Sequence, residues 1–556
     1  MNSPAPEPTG AIIVQSDRSI LLELQHPAAD DARRALAQFA ELERAPEHVH
    51  TYRMTALGLW NARAAGVDAE QVIDTLFTHS RYPLPQNLLI DIAELMSRYG
   101  RLALTVDPQH GLVLRSDDAA VLEEVLHAQT TRDLVGAQLD GYTVVVHSTA
   151  RGELKQALVQ LGWPADDQAG YVEGTAFPIQ LTENETWQLR DYQRMAVDNF
   201  FATGSGVVVM PPGSGKTLVG AAALAASSTI ALVLVTNTVS ARQWKAELLA
   251  RTTLTETDVG EYSGSKKQIR PVTIATYQVL TTRRGGIYPH LELVNDHDWG
   301  LIIYDEVHLL PAPIFRMTAD LQARRRLGLT ATLVREDNRA DEVFSLIGPK
   351  RYDAPWKDLE AQGWIAPASC TEIRVTLSAE DRMGYAISDR GDQYRWAATA
   401  ESKMPVITEL VDFHRYEQLL VIGQYVDHLE AIGDAIDAEV ITGSTSVAQR
   451  EKLFNTFRAG QVQRLVVSKI ANFSLDLPEA TVAIQVSGAF GSRQEEAQRL
   501  GRLMRPKSDG RNAYFYTVVS RDTVDQQYAA SRQRFLSEQG YSYRILDAGD
   551  LPDHLP

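Results

Sequence analysis

No stretch of this sequence limits its folding choices more than Met210-Pro211-Pro212-Gly213-Ser214-Gly215-Lys216-Thr217. It follows the apolar run 207–210 and opens a stretch rich in alanine and leucine, the strand-then-helix setting that a phosphate-cradling loop requires. Glycines there let backbone N–H groups converge on a phosphate at a helix N-terminus, where the helix dipole also favours an anion. Pro212, Gly213, Ser214 and Gly215 form the cradle, Lys216 reaches the β- and γ-phosphates, and the Thr217 hydroxyl is placed for Mg²⁺. Met210 stands where the general pattern has its first glycine.

Such a loop needs an open parallel sheet behind it, and the sequence predicts two. Apolar, β-rich runs at 207–210, 231–236, 272–275, 301–304 and 327–329 alternate with helical stretches. The alternation restarts at 418–423, 439–441, 465–468, 482–485 and 513–519, which predicts a second parallel-sheet domain. Asp305-Glu306-Val307-His308 ends the run 301–304, and a strand end is where an open α/β sheet presents ligand-binding residues. Asp305 is the candidate Mg²⁺ carboxylate; Glu306 would orient or deprotonate the attacking water. In the second domain Gln498, Arg502 and Arg505 recur at helical spacing, on one face. Presented to a γ-phosphate held by the first domain, such arginines contribute about 10³–10⁵ in rate. Together these elements predict an ATPase whose interdomain cleft opens and closes with hydrolysis, a cycle suited to stepping along a polymer.

Length and charge bound the rest. At 556 residues the chain exceeds a single core, since domains stop growing near about 250–300 residues. Its one cysteine, Cys370, excludes an intramolecular disulfide and any cysteine-ligated zinc or iron–sulfur cluster, which fits a reducing cytosol. Cys370 lies in an apolar-flanked, strand-like run and reads as a core residue. No run approaches the ~20 apolar residues of a membrane span, and the expectation is a cytoplasmic protein without a membrane partner. The net charge of −17 points away from a surface coated in basic residues, although a motor can grip phosphates through a local groove.

Ahead of the sheets, 12–24 reads as two strands around a turn, and helices follow. Asp68 and Gln71 form a capping-box pattern, and 88–99 is a helix ended by Gly100. A hairpin at 102–106 and 112–114 then suggests a winged-helix-like α+β module over 11–128; a protein-contact or purely structural module fits equally well. A smaller unit, 129–178, holds a strand at 142–147 and a helix at 150–161 closed by Gly162. The first parallel-sheet domain is assigned to 179–354 and the second to 355–546, with disordered tails at 1–10 and 547–556.

The motifs together resemble those of superfamily 2 helicases, and within them the XPB (xeroderma pigmentosum group B) family in a bacterial form. Asp305-Glu306-Val307-His308 is similar to its second motif and Thr330-Ala331-Thr332 to its third. Arg335-Glu336-Asp337 resembles the family's duplex-unwinding Arg-Glu-Asp motif. The stretches 473–480 and 491–499 resemble its fifth and sixth motifs, and Asp476 in the former is thereby placed at the nucleotide. The resemblance implies two tandem RecA-like domains, a short thumb-like insertion near 378–400, and a damage-recognition-like unit over 129–178. It implies ATP and Mg²⁺ as cofactors, with Arg190 and Gln193 reading adenine. His308, Thr330, Thr332, Arg335, Glu336 and Asp337 would couple hydrolysis to unwinding. Gln243, Trp244, Thr276, Tyr277, Gly443, Ser444, Ser468 and Lys469 would grip the strand. The implied activity is 3′-to-5′ DNA unwinding in a repair pathway of the nucleotide-excision kind, on single-stranded and forked DNA, in association with the nucleoid. A nuclease or repair protein is the implied partner. Duplex translocation without strand separation is the alternative, and an RNA track the third reading.

Overall fold

The computed structural model describes residues 10–45, 48–184, 187–211, 213–284, 288–290, 297–311, 314, 318, 324–331, 340–354, 356–468, 480–488, 512–538 and 543–554. Its core is two seven-stranded sheets, each parallel throughout. In the first the strands lie side by side as Val259–Tyr262, Val272–Thr276, Ala231–Val235, Leu301–Asp305, Arg325–Thr330, Ser205–Val209 and Lys350–Asp353. In the second they lie as Glu439–Ile441, Arg464–Ser468, Leu419–Gly423, Val482–Gln485, Ala513–Ser520, Ala368–Val375 and Tyr543–Asp547. Numbered along each domain, both orders read third, fourth, second, fifth, sixth, first, seventh. The chain thus repeats one frame. The inner strands are fully buried because helices cover both faces, which is why they read as unbroken apolar runs. Cys370 sits buried on the first strand of the second sheet.

Two smaller units precede the repeat, and they divide differently from expectation. Strands Ile12–Val14, Ser19–Glu23, Val49–Arg53 and Glu41–Arg44 form an antiparallel sheet with helices through Gln86–Arg98. The expected capping box is present: Asp68 accepts from the Gln71 amide and Gln71 from the Asp68 amide. The hairpin Leu102–Asp107 and Gly111–Ser116, however, joins a five-stranded sheet with Val135–Asp140, Thr143–Val146 and Ala165–Asp167. Its Leu102, Leu104 and Leu114 pack with Leu154 and Leu158 of the helix Arg151–Leu161. The boundary therefore falls near residue 100 rather than 128, and the helices that precede the hairpin do not acquire it as a wing.

The second unit is fastened to the first parallel sheet by a buried charge cluster. Asp167 accepts from Arg151 at 2.7 Å and from Lys155 at 3.0 Å. Tyr171 lies beneath Arg151 and Arg326, and its hydroxyl donates to Ser205 Oγ at 2.7 Å. Burial opposes the Asp167 charge, but Lys155 and Arg151 override it and hold the carboxyl below its usual range. Burial likewise brings Lys155 down to about 8, against the pull of Asp167.

Where the thumb-like insertion was expected, helices Ala379–Ile387 and Arg390–Ala398 form a helical hairpin, with Trp396 lying against Gly384. They follow the first strand of the second sheet, the place that the phosphate loop and its helix take after the first strand of the first sheet. The expected disorder at 547–556 is corrected. Asp547 ends an edge strand, and Leu551 is wholly buried in the second domain's core. Acidic neighbours had concealed that one anchor.

Replacing Asp167 by alanine would leave Arg151, Lys155 and Arg326 in a dry interface without their carboxylate. The expected loss is about 3–5 kcal/mol in the stability of the first parallel-sheet domain and its attached unit, read by chemical denaturation.

Candidate active site

Strands Ser205–Val209, Arg325–Thr330 and Leu301–Asp305 are neighbours, so the loop, Thr330 and Asp305 emerge together at one sheet edge. Gly213 and Gly215 adopt φ of 81° and 87°, left-handed values that glycine takes without strain. Gly215 caps the helix Lys216–Ser227, so the first amides of that helix face the loop. Ser214 is wholly buried, its hydroxyl donating to the Pro211 carbonyl at 2.6 Å. From behind, Tyr192 Oη and Gln193 Nε2 both donate to the Ser214 carbonyl, at 2.7 and 2.8 Å. Gln193 Oε1 accepts the Arg190 amide at 3.0 Å. Lys216 Nζ donates to the Met210 carbonyl at 3.4 Å, and Thr217 is half-buried one residue on.

Asp305 is held by three donors or anchors. Trp244 Nε1 donates to its Oδ2 at 2.9 Å, the Glu306 amide to its Oδ1 at 3.1 Å, and Tyr277 Oη to its carbonyl at 2.7 Å. Burial, and then the neighbouring Glu306, push its carboxyl up to about 6 in spite of Trp244 and Lys216. Glu306 itself is left-handed, with φ of 50°, which for a non-glycine residue is a local strain of the kind found at working sites. Its buried Oε2 makes no hydrogen bond and lies 3.5 Å from His308 Nδ1. His308 Nδ1 is also 2.6 Å from Thr330 Oγ1, joining the second motif to the third. Two adjacent carboxylates facing a lysine, with a threonine hydroxyl on the first helical turn, fit a Mg²⁺ ion completed by phosphate oxygens and water. Thr217 and Asp305 would hold it. Among the described residues no group of three or more His, Cys, Asp or Glu forms a metal site independent of a nucleotide.

Several expected roles change. Trp244 and Tyr277 are 2% and 4% exposed, and both side chains are committed to Asp305, so neither grips a strand. Thr276 is likewise buried; its hydroxyl accepts the Val279 amide. Ser468 is buried at its strand end, whereas Gln243, Gly443 and Ser444 are exposed. Gln193 is 1% exposed and both ends of its amide are used within the chain, so it acts through the loop rather than on adenine. Arg190 remains at the surface of this region, its guanidinium 4.1 Å above the Trp364 ring. Sequence reasoning missed Tyr192 and Trp364. It had a signal for Trp244, because Ala241, Trp244 and Leu248 fall at helical spacing on the buried face. Pro212, Thr332, Arg335, Glu336, Asp337, Lys469, Asp476, Gln498, Arg502 and Arg505 lie outside the described residues.

A repeated parallel frame with one phosphate loop and an acidic pair at the neighbouring strand end defines a tandem RecA-like ATPase. Three family models match: "Type III restriction enzyme, res subunit" over 186–335, "ERCC3/RAD25/XPB C-terminal helicase" over 359–553, and "Helicase conserved C-terminal domain" over 12–140. The last falls on the two smaller units that precede the repeat. A protein named DNA 3'-5' helicase XPB from Kineococcus radiotolerans is 65% identical over 98% of both chains. Its namesake from Mycobacterium tuberculosis is 63% identical, again over 98% of each. The Enterocytozoon bieneusi "General transcription and DNA repair factor IIH helicase/translocase subunit XPB" is 31% identical, over 96% of this chain and 92% of that one. This chain belongs to the XPB family of helicases.

The raised Asp305 carboxyl has a consequence for stability. Between its unfolded value of 3.8 and about 6 the folded chain holds a proton that the unfolded chain has lost, so stability falls as pH rises through that window. At pH 7 the ionised group therefore works against folding. Without nucleotide, the parent is expected to need less denaturant to unfold at pH 7 than at pH 5, and Asp305→Asn, which cannot titrate, is expected to show a smaller drop between the two.

Proposed function

We propose that this protein is an ATP- and Mg²⁺-dependent motor that moves 3′ to 5′ on DNA and separates strands at forks during DNA repair. One observation carries the reading. A twice-built frame holds a single phosphate loop with Asp305-Glu306 beside it, in a chain matched almost end to end by proteins named DNA 3'-5' helicase XPB. Lys216 and the loop amides bind the nucleotide phosphates, Thr217 and Asp305 hold Mg²⁺, and Glu306 orients the attacking water. Asp476, Gln498, Arg502 and Arg505 complete the site from the second domain. Arg190 carries the adenine end, with Gln193 bracing the loop.

Exposed Gln243, Gly443 and Ser444, together with Lys469, contact strand phosphates, which positions the motor without reading sequence. Thr332 and Arg335-Glu336-Asp337 couple the stroke to strand separation. The track is gripped locally, so a net charge of −17 is compatible with it. The protein works at the nucleoid, with a nuclease or another repair protein as partner. No helix among the described residues is long and apolar enough to cross a membrane. Translocation along duplex without separation is the second reading, favoured by the word "translocase" in the name of the Enterocytozoon relative.

Hydrolysis and strand displacement are to be compared on forked DNA, blunt duplex DNA and RNA. The parent is expected to hydrolyse fastest with DNA and to open the fork, Lys216→Ala to fall to background, and Arg502→Ala to lose at least ~10³ in kcat. Arg335→Ala combined with Asp337→Ala should keep DNA-stimulated hydrolysis and lose strand separation. A parent that tracks along duplex but never opens a fork would replace this reading with the second.

A further inference from the structure

Two segments of the first domain each turn one side chain inward onto the same residue. On the helix Thr238–Arg251, Arg242 and Gln243 are exposed, whereas the next residue, Trp244, is buried and donates to Asp305 Oδ2 at 2.9 Å. After strand Val272–Thr276, Tyr277 Oη donates to the Asp305 carbonyl at 2.7 Å. One bond fixes the carboxylate and the other the backbone that carries it. The Trp244 ring has no slack. Gly220 on the phosphate-loop helix lies against it, so closely that a Cβ there would overlap the indole, and Leu329 of the strand beside Asp305 closes the same space. A shift of the outer helix must therefore move the indole N–H relative to a carboxylate whose other oxygen is tied to the Glu306 amide.

We infer that Trp244 and Tyr277 are positioning residues that clamp Asp305, and that a nucleic-acid strand seated on the exposed face of the helix Thr238–Arg251 tightens Mg²⁺–nucleotide binding through this clamp. A carboxylate can hold a hard cation only at the angle its outer partners permit, and loss of such partners typically costs about 10–100-fold in metal affinity. The strand need not approach the nucleotide, because the same helix offers Gln243 to the track and Trp244 to the metal site. This deepens the motor reading and rests on it for the identity of the strand.

Trp244→Phe keeps most of the ring and removes the donor; Tyr277→Phe removes one hydroxyl. For each, binding of a fluorescent ADP analogue is measured with and without Mg²⁺, alongside the stimulation of ATP hydrolysis by single-stranded DNA. Without Mg²⁺, affinity should stay within about twofold of the parent. The tightening that Mg²⁺ confers should fall roughly 10-fold, and DNA stimulation should fall with it. In an Asp305→Asn background Trp244→Phe should change nothing further. Full retention of Mg²⁺-dependent tightening in both variants overturns the clamp, as does an equal loss with and without Mg²⁺. Should Trp244→Phe fail to fold, Tyr277→Phe decides alone. A parent whose hydrolysis ignores DNA would sink the motor reading, and the Mg²⁺ comparison would still judge the clamp.

Discussion

The site depends on keeping a carboxylate charged where water is scarce. Asp305 stands at a strand end beside a second carboxylate, and burial disfavours its ionised form. An unheld group of this kind would rotate toward solvent or keep its proton. The indole of Trp244 and the amide of Glu306 take one oxygen each, leaving a direction fixed toward the phosphate loop. Around this constraint the first sheet is arranged. The strand Arg325–Thr330 is interposed between loop and carboxylate, and its Thr330 meets His308. The strain at Glu306 is tolerated because the surrounding bonds leave it no alternative.

The small units ahead of the repeat bear on the same frame from its far edge. The cluster of Arg151, Lys155, Asp167, Tyr171 and Arg326 is buried between the five-stranded sheet and the first parallel sheet. Burying more cations than anions is costly, and such an arrangement survives only where the geometry is tightly matched. The cluster joins the second unit to the first parallel sheet.

Much of this was legible in the residues and some was not, for reasons that differ. Inner strands such as Ala231–Val235 and Leu419–Gly423 are covered on both faces and announce themselves as apolar runs. Edge strands such as Val259–Tyr262 and Lys350–Asp353 carry polar residues and were not recognised. The hairpin at Leu102–Ser116 was visible, but its partner strands include one paired from Leu102 to Ala165, and local pattern carries no information about that choice. At the site, the loop and Asp305-Glu306 were readable because their chemistry is confined to a few adjacent positions. For Trp244 the motif resemblance points to the strand and the inward spacing shared with Ala241 and Leu248 points to the core, and burial follows the spacing. Tyr192 and Trp364 had no local signature at all; each matters only through a residue far along the chain.

The repeated strand order carries one further consequence. In the first domain the opening strand leads to a phosphate cradle; in the second, the equivalent strand leads to the helical hairpin of Ala379–Ile387 and Arg390–Ala398. The two halves are therefore one frame carrying different structures at the same place, a nucleotide cradle in one and a helical hairpin in the other. A pair with two cradles could run its strokes out of phase. Among the described residues the repeat holds one cradle, so the proposed motor would spend one nucleotide for each cycle of its cleft.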